Sequence, residues 1–303
     1  NQIEMWHKDT FDAKLIDKEL SWAHDLGFNT LRVFLSSVVW ENDSIGMKNR
    51  INEFLTICQK HQIHPFFVFF DDCWNKESQY GKQPDPKPGV HNSGWVKDPS
   101  YSLRKDTLSL YPILEKYVKD IMKTFGNDKR VLMWDLYNEP GNDGNGVSSL
   151  SLLKKVFEWA RECNPSQPIT SGFWSFGCSP INAFQLTHSD VVSYHNYSAE
   201  NEHAVMIKYL KVLNRPLICT EYMARKNNST FQSILPLLLR EKVAAINWGF
   251  VSGKTNTIFA WGTPLPDVKE PEVWFHDIYR KDGTPFDAKE IDCIRSIVKK
   301  SKE

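Results

Sequence analysis

Two glutamates end apolar runs in this sequence, and residues of that type in that position can do chemistry. Glu139 lies at the end of Val131-Leu132-Met133-Trp134-Asp135-Leu136-Tyr137-Asn138-Glu139-Pro140. Glu221 lies at the end of Pro216-Leu217-Ile218-Cys219-Thr220-Glu221-Tyr222. Each run reads as a strand buried on both faces. Pro140 cannot donate to a ladder, so the first strand stops there, with Asn138 and Glu139 at its tip. One such acid alone is more often a solvated loop residue. Two of them at the same end of one parallel sheet form the pair that glycoside hydrolysis requires. One carboxyl must carry a proton for the leaving oxygen, and the other must be ionised to attack the anomeric carbon. Their mutual repulsion helps to raise the acid's pKa.

The elements that must position this pair alternate along the chain. Strands are expected over 28–35, 64–71, 131–139, 168–174, 190–197, 215–222 and 244–251. Helices are expected over 11–26, 47–61, 102–125 with an interruption near Pro112, 148–163, 202–213, 230–242 and 287–299. Asp12 is placed to cap the first of these, and Gly27 to stop it. The stretch 72–99 is long and irregular and holds Trp74, His91 and Trp95, which reads as a wall of a binding groove. No linker or low-complexity break divides the sequence. The alternation therefore predicts one catalytic domain over residues 1–303, an α/β (β/α)8 TIM barrel. Seven strands are counted, and the chain opens with a helix. The expectation is a barrel lacking its first strand at the N-terminus, with Glu139 on strand four and Glu221 on strand seven. An open, doubly wound sheet is the alternative, weakened because no Gly-rich phosphate loop follows any strand.

Composition removes several function classes. Lys+Arg and Asp+Glu both number 37, so no overall field attracts nucleic acid or an anionic membrane. No apolar run approaches the length of a membrane span. The nine His are dispersed without H-x-H or H-E-x-x-H, so no metal or other cofactor is expected. No G-x-S-x-G elbow supports serine chemistry. The six Cys show no C-x-x-C pair, and Cys219 reads as a buried thiol. Eleven Trp fill a core, line a sugar-binding groove, or do both, because sugar C–H faces stack on indole.

Asn138-Glu139-Pro140 after one apolar strand and Thr220-Glu221-Tyr222 at the end of a later one resemble clan A of the glycoside hydrolases. The chain is most similar to the family 5 cellulase-like group. The likeness spans residues 28 to about 260 and includes Arg32, Asn138, His195-Asn196-Tyr197 and Trp248 in the family's order. It implies a retaining enzyme acting on β-glycosidic bonds of a glucan, mannan or xylan type. By this resemblance Glu139 is the acid/base and Glu221 the nucleophile. Asn138 would hold the substrate's 2-hydroxyl, Tyr197 would lie against Glu221, and Arg32 would keep Glu221 ionised and oriented. Taken residue by residue, Arg32 also fits a structural ion pair, His195 a satisfied core histidine, and Trp248 core packing. The family often has a His at the end of strand three, where this chain has Asp71-Asp72-Cys73-Trp74. Asp71 or Asp72 is a candidate there for a sugar hydroxyl, and Trp74 for a sugar face.

The implied partner is a carbohydrate. Such a substrate implies a secreted or periplasmic protein whose signal peptide is absent from a chain that begins at Asn1. A non-catalytic sugar-binding protein on a barrel scaffold is the other class of function. Retention of both glutamates argues against it.

Overall fold

A computed structural model describes residues 1–302. Among them are seven strands, β1 (Arg32–Phe34), β2 (Phe66–Asp71), β3 (Trp134–Asn138), β4 (Ile169–Thr170), β5 (Val192–His195), β6 (Leu217–Glu221) and β7 (Ala244–Ala245). Nine α-helices accompany them, α1 (Gln2–Trp6), α2 (Ala13–Leu26), α3 (Ser37–Lys60), α4 (Thr107–Phe125), α5 (Ser149–Glu162), α6 (Ser179–His188), α7 (Glu200–Lys211), α8 (Phe231–Arg240) and α9 (Ala288–Lys300). Each expected strand is present but shorter than its apolar run. The chain divides into two units. The first comprises Asn1–Leu20, Thr30–Pro84 and Trp95–Asp190, and the second Ser21–Asn29, Asp85–Gly94 and the chain from Val191 onward.

The first unit holds a parallel sheet in the order β1-β2-β3-β4. β2 is apolar and buried along its whole length, as a parallel strand covered on both faces must be. Aromatic rings fill the space around it. Phe69 stacks on Trp134 at 5.4 Å and meets Tyr117 edge-on at the same distance. Register then decides which polar tips become neighbours, and Asp71 at the end of β2 pairs with Asn138 at the end of β3.

The second unit holds a parallel sheet in the order β5-β6-β7. Its register shifts between Tyr194 and His195, so that Tyr194 faces Cys219 and His195 faces Glu221. Such an irregularity re-aims a side chain at the strand end. Trp274 stacks on Phe286 at 5.1 Å in this unit's apolar cluster.

The helix signals act locally. Asp12 accepts from the amide of Leu15 at 3.0 Å, and Gly27 follows α2 with φ +84°. α3 begins ten residues earlier than its expected start at 47. Asp43 explains the difference: it breaks the helix at φ −152° and ψ 60° and accepts from the Gly46 amide at 3.1 Å. A second helical segment thus has its own N-cap, and the apolar periodicity follows that segment. α4 continues through Pro112, contrary to the interruption expected there. The carbonyl that Pro112 cannot satisfy belongs to Leu108, a residue that is 89% exposed, so water can take it. α6 was not expected. Its buried face includes Asn182 and Gln185, which hide the apolar periodicity. No described helix is long and apolar enough to cross a membrane. The six cysteines form no disulfide.

Candidate active site

Glu139 follows β3 with φ +43°. A non-glycine residue in that region costs about 1–3 kcal/mol and persists where its surroundings impose it. The surroundings here are visible. Two residues on, the Gly141 amide donates to Asp72 Oδ2 at 2.7 Å. Asp72 is fully buried and also accepts from Tyr137 Oη at 2.7 Å, from the Ser149 hydroxyl and from the Arg104 guanidinium. Asp72 therefore staples the turn that carries Glu139 to β3 and α5.

The Glu139 carboxyl is held through Oε2, which accepts from Cys73 Sγ at 3.2 Å and from Asn142 Nδ2. Burial pushes its pKa up, while the two donors and the nearby charge of Arg32 pull the other way. The net direction is upward, which favours a carboxyl that keeps its proton.

Asn138 is oriented at both ends. Its Oδ1 accepts from Arg32 Nη2 at 2.7 Å, and its Nδ2 donates to Asp71 Oδ1 at 2.8 Å. Arg32 in turn donates to Asp135 Oδ2 from Nε at 2.9 Å and from Nη2 at 2.8 Å. Both side chains of that pair are buried. Arg32 thus has the structural ion pair that was one of its two readings. Asp71 is 1% exposed and accepts from Asn138, from the Cys73 amide at 2.9 Å and from Trp95 Nε1 at 2.6 Å. Burial raises its pKa to about 6. These partners make Asp71 a buried brace for Asn138. Trp74 is 37% exposed, with φ +68°. Trp95, from the same irregular stretch, is instead pinned edge-on against Phe34 at 5.0 Å.

The second unit treats Glu221 in a parallel way. Glu221 is the last residue of β6 and is buried. Its Oε2 accepts from Tyr197 Oη at 2.7 Å and lies 3.4 Å from His195 Nδ1. Its carbonyl accepts from the Asn196 amide at 2.9 Å. Two residues on, Met223 has φ +80°, and its carbonyl is hydrogen-bonded to His276 Nδ1. Burial holds His276 well below the usual imidazole range, so the neutral ring donates through Nδ1. Each glutamate is therefore followed by a left-handed turn that a buried polar side chain fastens.

The Trp248 amide donates to the Tyr222 carbonyl at 3.0 Å, which ties the segment after β7 to the residue beside Glu221. Trp261 was not singled out from the sequence. It is 37% exposed, meets Tyr197 edge-on at 4.9 Å and packs 4.9 Å from Phe275. His91 lies beneath this cluster, 5.3 Å from His276, with Nδ1 2.8 Å from the Phe259 carbonyl. Burial lowers its pKa to about 4.

Cys73, Asp135, Asn142 and His276 were also missed as site-building residues. Asp135 carried a usable signal, as the one charged side chain inside the apolar run 131–137. Asn142 and His276 carried none, because their roles depend on where their loops return.

The sequence pattern of the cellulase family, glycosyl hydrolase family 5, matches residues 2–254. None of the curated proteins compared matches. Among solved structures, the endo-β-1,4-mannanase of Thermotoga petrophila is similar at a TM-score of 0.64 and 15% identity, over 96% of this chain and 74% of that one. An endo-1,4-β-mannanase of Rhizomucor miehei is similar at 0.65 and 13%, over 98% and 93%. A family 5 mannosidase of Rhizomucor miehei is similar at 0.62 and 14%, over 95% and 88%. At these identities the likenesses speak to the fold, and the pattern over residues 2–254 speaks to the family. The chain belongs to glycosyl hydrolase family 5, and is a glycoside hydrolase of the (β/α)8 barrel class.

Proposed function

We propose that the chain is a retaining β-glycosidase in which Glu221 attacks the anomeric carbon and Glu139 serves as acid and then base. The observation that carries this reading is the contrast between the two carboxyl environments. Glu139 is pushed by burial toward its protonated form, as a proton donor must be. Glu221 Oε2 accepts a hydrogen bond from Tyr197 and also faces His195, which fixes its carboxyl in place. In the first step the Glu221 carboxylate bonds to the anomeric carbon while the Glu139 proton passes to the leaving oxygen. In the second, Glu139 takes a proton from water, and that water's oxygen displaces Glu221. Asn138 meets the substrate's 2-hydroxyl. Arg32 and Asp71 act through Asn138. Trp74 and Trp248 meet sugar faces, and Trp261 joins them.

Residues 1–303 work as one catalytic domain in this reading. A retaining displacement needs the two carboxylates about 5–5.5 Å apart. The substrate is a β-linked polysaccharide or its oligosaccharides. β-Mannan comes first, because similar structures are named mannanases and a mannosidase. Glucan and xylan follow. A polymer of this kind is met outside the cytoplasm, so the working location is secreted or periplasmic.

The test is an assay of mannan, glucan, xylan and aryl β-glycosides with the parent, Glu139→Ala and Glu221→Ala. Both variants are expected to lose nearly all activity on natural substrates. Full activity in Glu221→Ala would remove the nucleophile assignment. Proton NMR of the first-formed anomer should show the β configuration, and a first-formed α anomer would end the retaining reading.

A further inference from the structure

Cys73, two residues after the end of β2, occupies a junction of three site residues. Its Sγ lies 3.2 Å from Glu139 Oε2, 3.4 Å from Asn138 Nδ2 and 3.5 Å from Asn142 Nδ2. Its backbone is fixed as well, since the Cys73 amide donates to Asp71 Oδ1 at 2.9 Å. Asn142 adds a second donor to the same carboxyl oxygen, Oε2. Asn142 is placed by the turn after Glu139, where its own amide donates to the Glu139 carbonyl at 3.0 Å. The sulfur therefore accepts from two side-chain amides and donates to the acid.

We propose that Cys73 and Asn142 are positioning residues for acid/base catalysis, holding Glu139 Oε2 as an acceptor so that the transferable proton resides on Oε1. This rests on Glu139 being the acid/base. The argument is one of hydrogen-bond inventory. Cys73 Sγ and Asn142 Nδ2 both lie within donor reach of Oε2, and an O–H placed on that oxygen would face both donors. The neutral acid accommodates both donors when its hydroxyl is Oε1. After proton transfer, the carboxylate keeps the same two donors and needs no rearrangement to act as base. Cys73 also joins Glu139 to Asn138, so the group proposed to hold the 2-hydroxyl and the proton donor share one support.

The test uses Cys73→Ala, Cys73→Ser and Asn142→Ala in the full chain, with kcat/KM measured against pH. The basic limb reports the free enzyme's acid. Donors to a carboxylate favour its charged form, so removing one should raise the acid's pKa and move the basic limb upward. The expected movement is roughly half a pH unit for each donor lost, the size of one neutral hydrogen bond. Cys73→Ser retains a donor and should return the limb toward the parent's position. Cys73→Ala should also lose more activity on glycosides with poor leaving groups than on dinitrophenyl glycosides, which need little acid. Limbs that coincide with the parent's in both alanine variants would overturn the inference. A loss of activity equal at every pH and for every leaving group would mark both residues as merely structural and overturn it too. Asn142→Ala covers the case in which Cys73→Ala does not fold. Glu139→Gln separates the underlying reading. If it keeps full activity on oligosaccharides, the acid/base assignment fails. If it loses the basic limb while Cys73→Ala and Asn142→Ala leave theirs unmoved, this inference alone fails.

Discussion

Tyr197 Oη donates to Glu221 Oε2 at 2.7 Å, in a unit where the β5–β6 register shift sets His195 opposite Glu221. The hydroxyl fixes the rotation of the carboxyl. Tyr197→Phe is expected to lower kcat/KM on the order of 10- to 100-fold, the worth of one hydrogen bond to a charged group. The ring remains and should still pack against Trp261, so thermal stability should change little. Stopped-flow release from an activated aryl glycoside checks the glycosylation step directly. An unchanged burst rate would contradict the role given to Tyr197.

The side chains of Arg32 and Asp135 are both buried, and Asp135 is the second residue of β3. Removing one partner leaves a buried charge unpaired, a loss of about 3–5 kcal/mol. Asp135→Ala should therefore unfold at markedly lower urea concentration than the parent. Replacing both, as Arg32→Met with Asp135→Leu, should recover part of that stability without recovering activity. That split is expected because Arg32 also orients Asn138 at 2.7 Å. Equilibrium urea unfolding measured beside activity on one substrate distinguishes the two contributions.

Asp98 gives a pH dependence of definite sign. It is buried, accepts from the Ser37 amide at 2.6 Å, and burial raises its pKa from 3.8 to about 7. The folded state thus keeps a proton that the unfolded state releases between those values. Its contribution to stability is greatest below the unfolded pKa and declines as pH rises through the folded one. Asp71 and Asp277, each raised to about 6 by burial, act in the same direction. Asp98→Asn should gain melting temperature relative to the parent as pH rises from 4 to 7. A difference between the two proteins that stays constant over that range would show that Asp98 does not titrate as described.

Trp261 combines exposure with a rigid mounting on Tyr197, Phe275 and His276. An indole held this way offers a face to a sugar ring at little entropic cost. Trp261→Ala should raise KM for oligosaccharides several-fold and affect kcat less. Aryl monoglycosides, which fill fewer subsites, should be less affected. Isothermal titration of an oligosaccharide into Trp261→Ala, in a Glu139→Gln background, measures the binding part alone.

Much of the fold was legible because its periods are local. The seven apolar runs lie where seven strands form, and α2 is bounded by the Asp12 and Gly27 signals that the sequence displays. Errors arose where local pattern and tertiary context disagree. α6 buries Asn182 and Gln185 and so lacks an apolar stripe. Pro112 is tolerated because the carbonyl it strands lies on an exposed residue. The burial of Asp71 and the donors around it likewise depend on the fold.

The sequence alone determined the strand–helix alternation, the placement of Glu139 and Glu221 at apolar strand ends, and the family those features resemble. These follow from spacing along the chain, which burial on both faces of a strand dictates residue by residue. Tertiary structure alone decided which atoms hold each carboxyl. Cys73 meets Glu139 across 66 positions, and Asp72 meets the Gly141 turn across 69. Such contacts depend on register between strands and on where loops return. A hydrogen bond that forms over a few tenths of an ångström is set by that packing, and no period in the sequence encodes it.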